Sequence, residues 1–171
     1  NGQILAMASY PTYDPNSWEK GLSVKDAKAL FSEKNNVPAL SRPLQGLFAP
    51  ASTFKTVSVV AAANAGYNLN AIYNCPSETQ IGNRAFQNFD SKALGRINMK
   101  KAIAVSCDTI WYQIAYDEWV RDGGLKPKSN PNDYFFKVAQ GFQVNKKTEI
   151  DLPSELAGRL ANREWRKDWY K

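Results

Sequence analysis

The chain has 171 residues and a formal net charge of +6, with 43% apolar, 22% charged and 12% aromatic side chains; that is enough apolar content to bury a core and too little low-complexity sequence to stay disordered. The length fits one domain, or a piece of a larger one, and leaves little room for two. Histidine is absent, which excludes serine and cysteine mechanisms with an imidazole base, HExxH zinc proteases and most zinc sites, so acid–base chemistry falls to Lys, Asp, Glu or Tyr.

The opening run Gly2 to Ser9 is short, mostly apolar and ended by Pro11, and predicts a buried strand. Tyr13-Asp14-Pro15-Asn16 follows as a turn. Weak helical spacing from Val24 to Phe31 gives way to an irregular loop through Asn35, Asn36, Pro38 and Pro43. After Pro50-Ala51-Ser52, the residues Phe54, Val57, Val60 and Ala61 recur at i, i+3, i+6 and i+7, predicting a helix from Ser52 to Ala65 with Gly66 as its stop. Residues 67–97, rich in Asn, Gly and Ser, read as loops with short extended pieces such as Arg84-Ala85-Phe86-Gln87. Asn98 suits the N-cap of a second helix through Met99, Ile103 and Ala104 that halts near Ser106. A third helix spans Thr109 to Arg121, with Trp111, Ala115 and Trp119 as its core stripe and Gly123-Gly124 closing it; another runs from about Asn132 to Gln140.

The chain ends in a loop after Thr148 to Pro153 and a basic aromatic segment, Arg163 to Trp169. Glu164 and Asp168 interrupt its positive charge, so it argues against a nucleic-acid partner. Cys75 and Cys107 are too few for a disulfide framework and lack CxxC spacing, which leaves their redox state open. No apolar run approaches the ~18 residues needed to cross a bilayer, so any membrane anchor lies outside this segment. One strand ahead of a mainly helical remainder cannot satisfy its own backbone, so its sheet partners must come from elsewhere, a first sign of an incomplete domain.

Two clusters can carry chemistry. Ser52-Thr53-Phe54-Lys55 places a hydroxyl and an amine three residues apart on one face at the start of a helix. There the helix N-terminus favours an alkoxide and an oxyanion, and an amine is the available base. On spacing alone, Ser52 as a simple N-cap with Lys55 in solvent stands beside that reading, and Ser17-Trp18-Glu19-Lys20 repeats the pattern without a strong helix. Ser106-Cys107-Asp108 is the one Ser-x-Asp in the sequence, at a joint between helices. Ser106 could relay a proton and Asp108 could accept from a lysine or hold a substrate amide, or either could merely cap the third helix.

Taken in order, four blocks resemble one family. Gly2 to Asn16 is similar to the start of the transpeptidase domain of class B penicillin-binding proteins, the penicillin-binding protein 2 group especially. Arg42 to Lys55 resembles the segment with that family's nucleophile, Ser106-Cys107-Asp108-Thr109 its second motif, and Thr148-Glu149-Ile150-Asp151-Leu152-Pro153-Ser154-Glu155 a later loop. The resemblance implies an α+β fold of the penicillin-binding and serine β-lactamase type and a D,D-transpeptidase acting outside the cytoplasm from a membrane anchor. Such an enzyme cross-links peptidoglycan stem peptides through an acyl-serine, is acylated by β-lactams, works beside other cell-wall synthesis proteins and needs no metal or cofactor. Carried over by position, Ser52 is the nucleophile, Lys55 its base, Ser106 the proton shuttle, and Asp108 stands where many relatives have Asn.

Three departures accompany the resemblance. Ala51 replaces a frequent Gly. Asp108 adds a negative charge that favours the ammonium form of Lys55, making it a poorer base unless the two pair productively. The family's Lys-Thr-Gly or Lys-Ser-Gly motif occurs nowhere. Residues 1–171 are therefore expected to be the front part of a single transpeptidase domain, one N-terminal strand plus most of a helical lobe, crippled or weakly active by itself. Pro50 to Lys55 also resembles class D β-lactamases and β-lactam sensor domains, the competing reading.

Overall fold

A computed structural model describes residues 2–19 and 21–169. The chain divides into two compact units, Asn1–Phe48 with Asn145–Arg159, and Ala49–Val144 with Leu160–Lys171.

In the first unit, helix α1 (Val24–Leu30) starts at Ser23, whose hydroxyl accepts from Asp26 N–H, and it buries Leu30. The expected irregular loop contains a short 3-10 turn (Glu33–Asn35) and a single turn of helix, α2 (Arg42–Gln45), with Pro43 in the first turn where no N–H is needed. Arg42 knits this stretch together by donating to the carbonyls of Asn36, Val37 and Leu40. Ser9 donates to Leu40 C=O and accepts from Arg42 N–H. Leu156 N–H donates to Leu44 C=O at 2.8 Å, which joins the 145–159 segment to α2.

The buried strand expected at Gly2 to Ser9 is not found. Those residues join no sheet, and Ile4 and Leu5 are 59% and 91% exposed. The physical reason is the one that made a lone strand suspect: an extended run needs a neighbour for its N–H and C=O groups, and both sheets among the described residues are two-stranded pairs formed elsewhere. Ser17 of the repeated Ser-x-x-Lys pattern lies in a 3-10 turn (Pro15–Trp18); Lys20 lies outside the described residues.

The second unit holds a short 3-10 turn (Ala51–Phe54) that runs straight into α3 (Lys55–Asn64), then β1 (Ile72–Cys75), β2 (Glu78–Ile81), β3 (Arg84–Gln87), β4 (Gly95–Asn98), α4 (Met99–Ala104), α5 (Thr109–Arg121), α6 (Tyr134–Gly141) and α7 (Arg163–Trp169). β2 and β3 form a hairpin with Ile81 opposite Arg84. Its two-residue turn needs φ > 0 at the first central position, which Gly82 supplies at +59°. That hairpin is inserted between β1 and β4, which pair antiparallel with Cys75 opposite Gly95. The core gathers Ala62 of α3, Cys75, Met99 and Ala102 of α4, Cys107, and Ile110, Trp111 and Ile114 of α5.

Asn98 caps α4 as expected, accepting from Lys101 N–H at 2.9 Å. The core stripe of α5 is corrected. Its buried positions are Thr109, Ile110, Trp111, Ile114 and Glu118, whereas Ala115 and Trp119 are half-buried. Trp119 instead stacks on Tyr116 and takes Arg166 over its ring. In α7, Trp165 and Trp169 stack on each other with centroids 5.4 Å apart, and Arg163 is committed to Asp133 and Gly124 C=O.

Candidate active site

The site forms where the start of α3 meets the joint between α4 and α5. One turn of helix separates Ser52 from Lys55, and their Oγ and Nζ atoms lie 3.1 Å apart. Ser52 caps nothing, because the 3-10 turn and α3 both begin without a side-chain cap bond. Nor is Lys55 in solvent: it is 7% exposed, on the buried face of α3 with Val57, Ser58, Ala61 and Ala62.

Ser106 enters from the other side with φ +57°, a left-handed conformation that turns the chain sharply between the two helices. Its hydroxyl lies 2.9 Å from Ser52 Oγ and 2.8 Å from Lys55 Nζ, and its carbonyl accepts from Nζ at 2.9 Å. Asp108 Oδ1 pairs with Nζ at 2.5 Å, and its other oxygen accepts Phe89 N–H at 3.1 Å. The four residues singled out from the sequence, Ser52, Lys55, Ser106 and Asp108, thus meet around one nitrogen.

To take a proton, Nζ must be a free amine with two N–H groups and one lone pair, and a carboxylate and a carbonyl can only accept. Asp108 and the Ser106 carbonyl therefore take two of the three directions around Nζ. The third faces the two hydroxyls, and through it alone can Lys55 exchange a proton with Ser52 or Ser106. Asp108 also lies where positive charge grows as Nζ gains a proton, an arrangement that stabilises the charge when it forms. The negative charge noted in the sequence is thus paired directly with Lys55. Tyr112 does not compete as a base: burial and then the Asp108 carboxylate push its phenol upward, so it stays neutral.

Two features of the site escaped the sequence. Cys75 and Cys107 form a disulfide that fastens the middle of the Ser-Cys-Asp motif to the end of β1. The spacing of 32 residues between two lone cysteines carried no signal for it. The other is Asn88, in a stretch read as loop, whose buried amide contacts the start of α5. Among the described residues no group of three or more Cys, Asp or Glu could hold a metal ion, and no helix is long and apolar enough to cross a membrane.

The family model for the penicillin-binding protein transpeptidase domain matches residues 1–170. The chain belongs to the penicillin-binding transpeptidase family. Among curated members of the family, the peptidoglycan D,D-transpeptidase MrdA of Escherichia coli is 32% identical over 99% of this chain, which covers 26% of that protein. Among solved transpeptidases, Pseudomonas aeruginosa PBP2 in complex with WCK 5153 shares 28% identity with a TM-score of 0.75 over 98% of this chain and 36% of its own. The complex of PBP2 and MreC from Helicobacter pylori has a TM-score of 0.79 at 24% identity, over 98% of this chain and 29% of that one, and speaks for the fold alone. The α+β transpeptidase fold expected from the sequence is the one these structures share. The chain spans about a quarter of the length of the curated relatives it matches.

Proposed function

We propose that this chain carries the nucleophile-bearing part of a single transpeptidase domain, and that the full-length protein is a peptidoglycan D,D-transpeptidase. The observation that carries the reading is the position of Lys55 Nζ, within 3.1 Å of both the Ser52 and Ser106 hydroxyls, while Asp108 and the Ser106 carbonyl are placed to hold the two N–H groups of the free amine.

In this mechanism Ser52 Oγ attacks the carbonyl of the penultimate D-alanine of a stem peptide as its proton passes to Lys55 Nζ. The C–N bond to the terminal D-alanine then breaks. The proton on Nζ reaches the leaving amine through the Ser106 hydroxyl, which takes one proton and gives up another, and D-alanine departs. An acceptor amine from a second stem peptide attacks the acyl-Ser52 ester and returns its proton along the same path, so a new amide forms as Ser52 is released. A β-lactam follows the first half only. Its ring C–N bond opens, the amine stays tethered to the acyl group, and the ester persists.

The Cys75–Cys107 disulfide supports a location outside the reducing cytoplasm, and we place the protein at the outer face of the cell membrane, held by an anchor outside this chain. Other cell-wall synthesis proteins are the partner class, a reading supported by a solved relative, 30% identical to this chain, that is part of a peptidoglycan synthase complex.

The test is labelling with a fluorescent penicillin. Full-length protein should be labelled at Ser52 and hold the label, the 171-residue chain should be labelled more slowly or not at all, and Ser52→Ala should abolish labelling. Label kept by Ser52→Ala removes Ser52 as nucleophile. Release of the label within seconds turns the assignment toward a β-lactamase.

A further inference from the structure

Asn88 is 4% exposed, and every polar atom it owns is engaged. Its Oδ1 accepts from the N–H of Asp108 at 2.9 Å and of Thr109 at 3.2 Å. Its Nδ2 donates to the carbonyls of Pro76 at 2.8 Å and Lys92 at 2.7 Å. Its own N–H donates to Ser77 C=O and its carbonyl accepts Ser91 N–H. An amide side chain offers two donors and one two-lone-pair acceptor, so this one is saturated. One buried group thus ties the ends of β1 and β3 to the start of α5.

The reason such a clamp matters lies in what Asp108 does not do. Asp108 stands at the N-cap of α5, the position where an aspartate ordinarily folds back onto the first N–H groups of its own helix. Here it makes no side-chain cap bond. Its two oxygens face Lys55 Nζ and Phe89 N–H instead. With the carboxylate untied from its own helix, the backbone beneath it is held from outside: Asn88 accepts the N–H groups of Asp108 itself and of Thr109, while Trp111 N–H goes to the Asp108 carbonyl.

We propose that Asn88 is a positioning residue of the acylation site: by capping the first two N–H groups of α5, those of Asp108 and Thr109, it fixes the backbone from which the Asp108 carboxylate reaches Lys55. Phe89, next in sequence, completes the device, since the backbone that places the Asn88 amide also aims Phe89 N–H at the second Asp108 oxygen. Without Asn88, the backbone at Asp108 and Thr109 loses that grip, and the carboxylate loses its fixed distance to Lys55. A displacement of about 1 Å at a reacting group costs on the order of a hundredfold in rate.

The inference rests on the transpeptidase reading for its kinetics and has a second readout that does not. Full-length enzyme is compared with Asn88→Ala and Asn88→Asp, measuring the first-order acylation rate by a penicillin separately from the dissociation constant of the non-covalent complex. Asn88→Ala should acylate about 10–100 times more slowly with its dissociation constant changed less than about threefold. Asn88→Asp keeps the acceptor for both N–H groups and loses the donors to Pro76 and Lys92. It should therefore melt as low as the alanine variant and yet acylate within about fivefold of the wild type. A purely structural residue would not separate melting temperature from rate in this way. Amide hydrogen exchange at Asp108 and Thr109 reads the cap without any chemistry, and should be at least about tenfold faster in Asn88→Ala than in the wild type or Asn88→Asp.

Wild-type acylation by Asn88→Ala, or an Asn88→Asp as slow as Asn88→Ala, overturns the proposal. Should Asn88→Ala fail to fold, a slowed Asn88→Asp overturns it alone. Should the wild type resist penicillin, the transpeptidase reading fails, and unchanged exchange in Asn88→Ala then overturns the cap itself.

Discussion

Reducing the Cys75–Cys107 disulfide should destabilise the unit that holds the site by an amount the sequence separation sets. The bond closes 32 residues. For a loop of that length the chain-entropy relation gives about 12 cal/mol/K, or about 3.7 kcal/mol at 25 °C, an upper value if the reduced unfolded chain keeps some structure. That is a large share of the 5–15 kcal/mol typical of a domain. Both sulfurs are fully buried, so reduction leaves two small apolar thiols in an unchanged core and the effect is confined to the lost constraint. Urea unfolding followed by tryptophan fluorescence suits the case, because Trp111, Trp119, Trp165 and Trp169 all belong to the unit that contains the bond. With an m-value near 2 kcal/mol/M the midpoint should fall by about 2 M on reduction. A Cys75→Ala, Cys107→Ala double variant should unfold at the same midpoint with or without reductant. A shift below about 0.5 M would refute the reasoning, showing that the 75–107 loop is already closed in the unfolded ensemble by other means.

Two further outcomes follow from the same contacts. Asp108→Asn keeps one acceptor oxygen but turns an NH2 group toward either Lys55 or Phe89 N–H, so acylation of the full-length enzyme should slow by about tenfold while its circular dichroism spectrum is unchanged; a rate equal to the wild type would show that the charge on Asp108 is idle. Tyr67 is pushed up to about 12, first by burial and then by the Glu118 carboxylate. Between its ordinary value of 10 and that higher one, the unfolded chain ionises the phenol and the folded chain does not. The stabilisation is thus complete below pH 10 and lost as pH climbs toward 12; Tyr67→Phe should remove this alkaline limb from a stability-against-pH curve, and an unaltered limb would exclude Tyr67 as its cause.

Most of the helical framework was legible because its signals are local. Asn98 announces α4 by its capping chemistry, the span of α5 from Thr109 to Arg121 is bounded by a turn and a Gly-Gly pair, and the apolar spacing after Ser52 marks α3. What was not legible depends on distant partners. The apolar run Gly2 to Ser9 reads as a strand, yet strand formation belongs to a pair of segments, and among the described residues none pairs with it. The stripe on α5 was misplaced by one face, since Trp119 carries more apolar surface than Ile114 while the packing buries Ile114 and Glu118. Ser52, Lys55, Ser106 and Asp108 could be named from two short motifs, but the amide that caps α5 from twenty residues upstream has no motif. An Asn in a polar stretch looks like a turn residue until the fold shows what surrounds it.

Strain and restraint in the site fit together. Ala51 and Ser106 both hold positive φ, +48° and +57°, where a side chain costs on the order of 1–3 kcal/mol, and both flank the reacting hydroxyls. Glycine at 51 would occupy that backbone without the steric cost, so the departure noted in the sequence sits at a strained point. Relaxation of either residue would swing a hydroxyl away from Lys55. What prevents it at Ser106 is countable: its carbonyl and hydroxyl both bond Nζ, the next residue is tied to β1 by a disulfide, and the one after is gripped through its N–H by Asn88 and through its carboxylate by Lys55 and Phe89. Lysine is the common element. It stabilises the strained turn and, in the mechanism proposed above, stands between the hydroxyls that pass the proton, so the contact that stores the strain would also set the distance over which the proton moves.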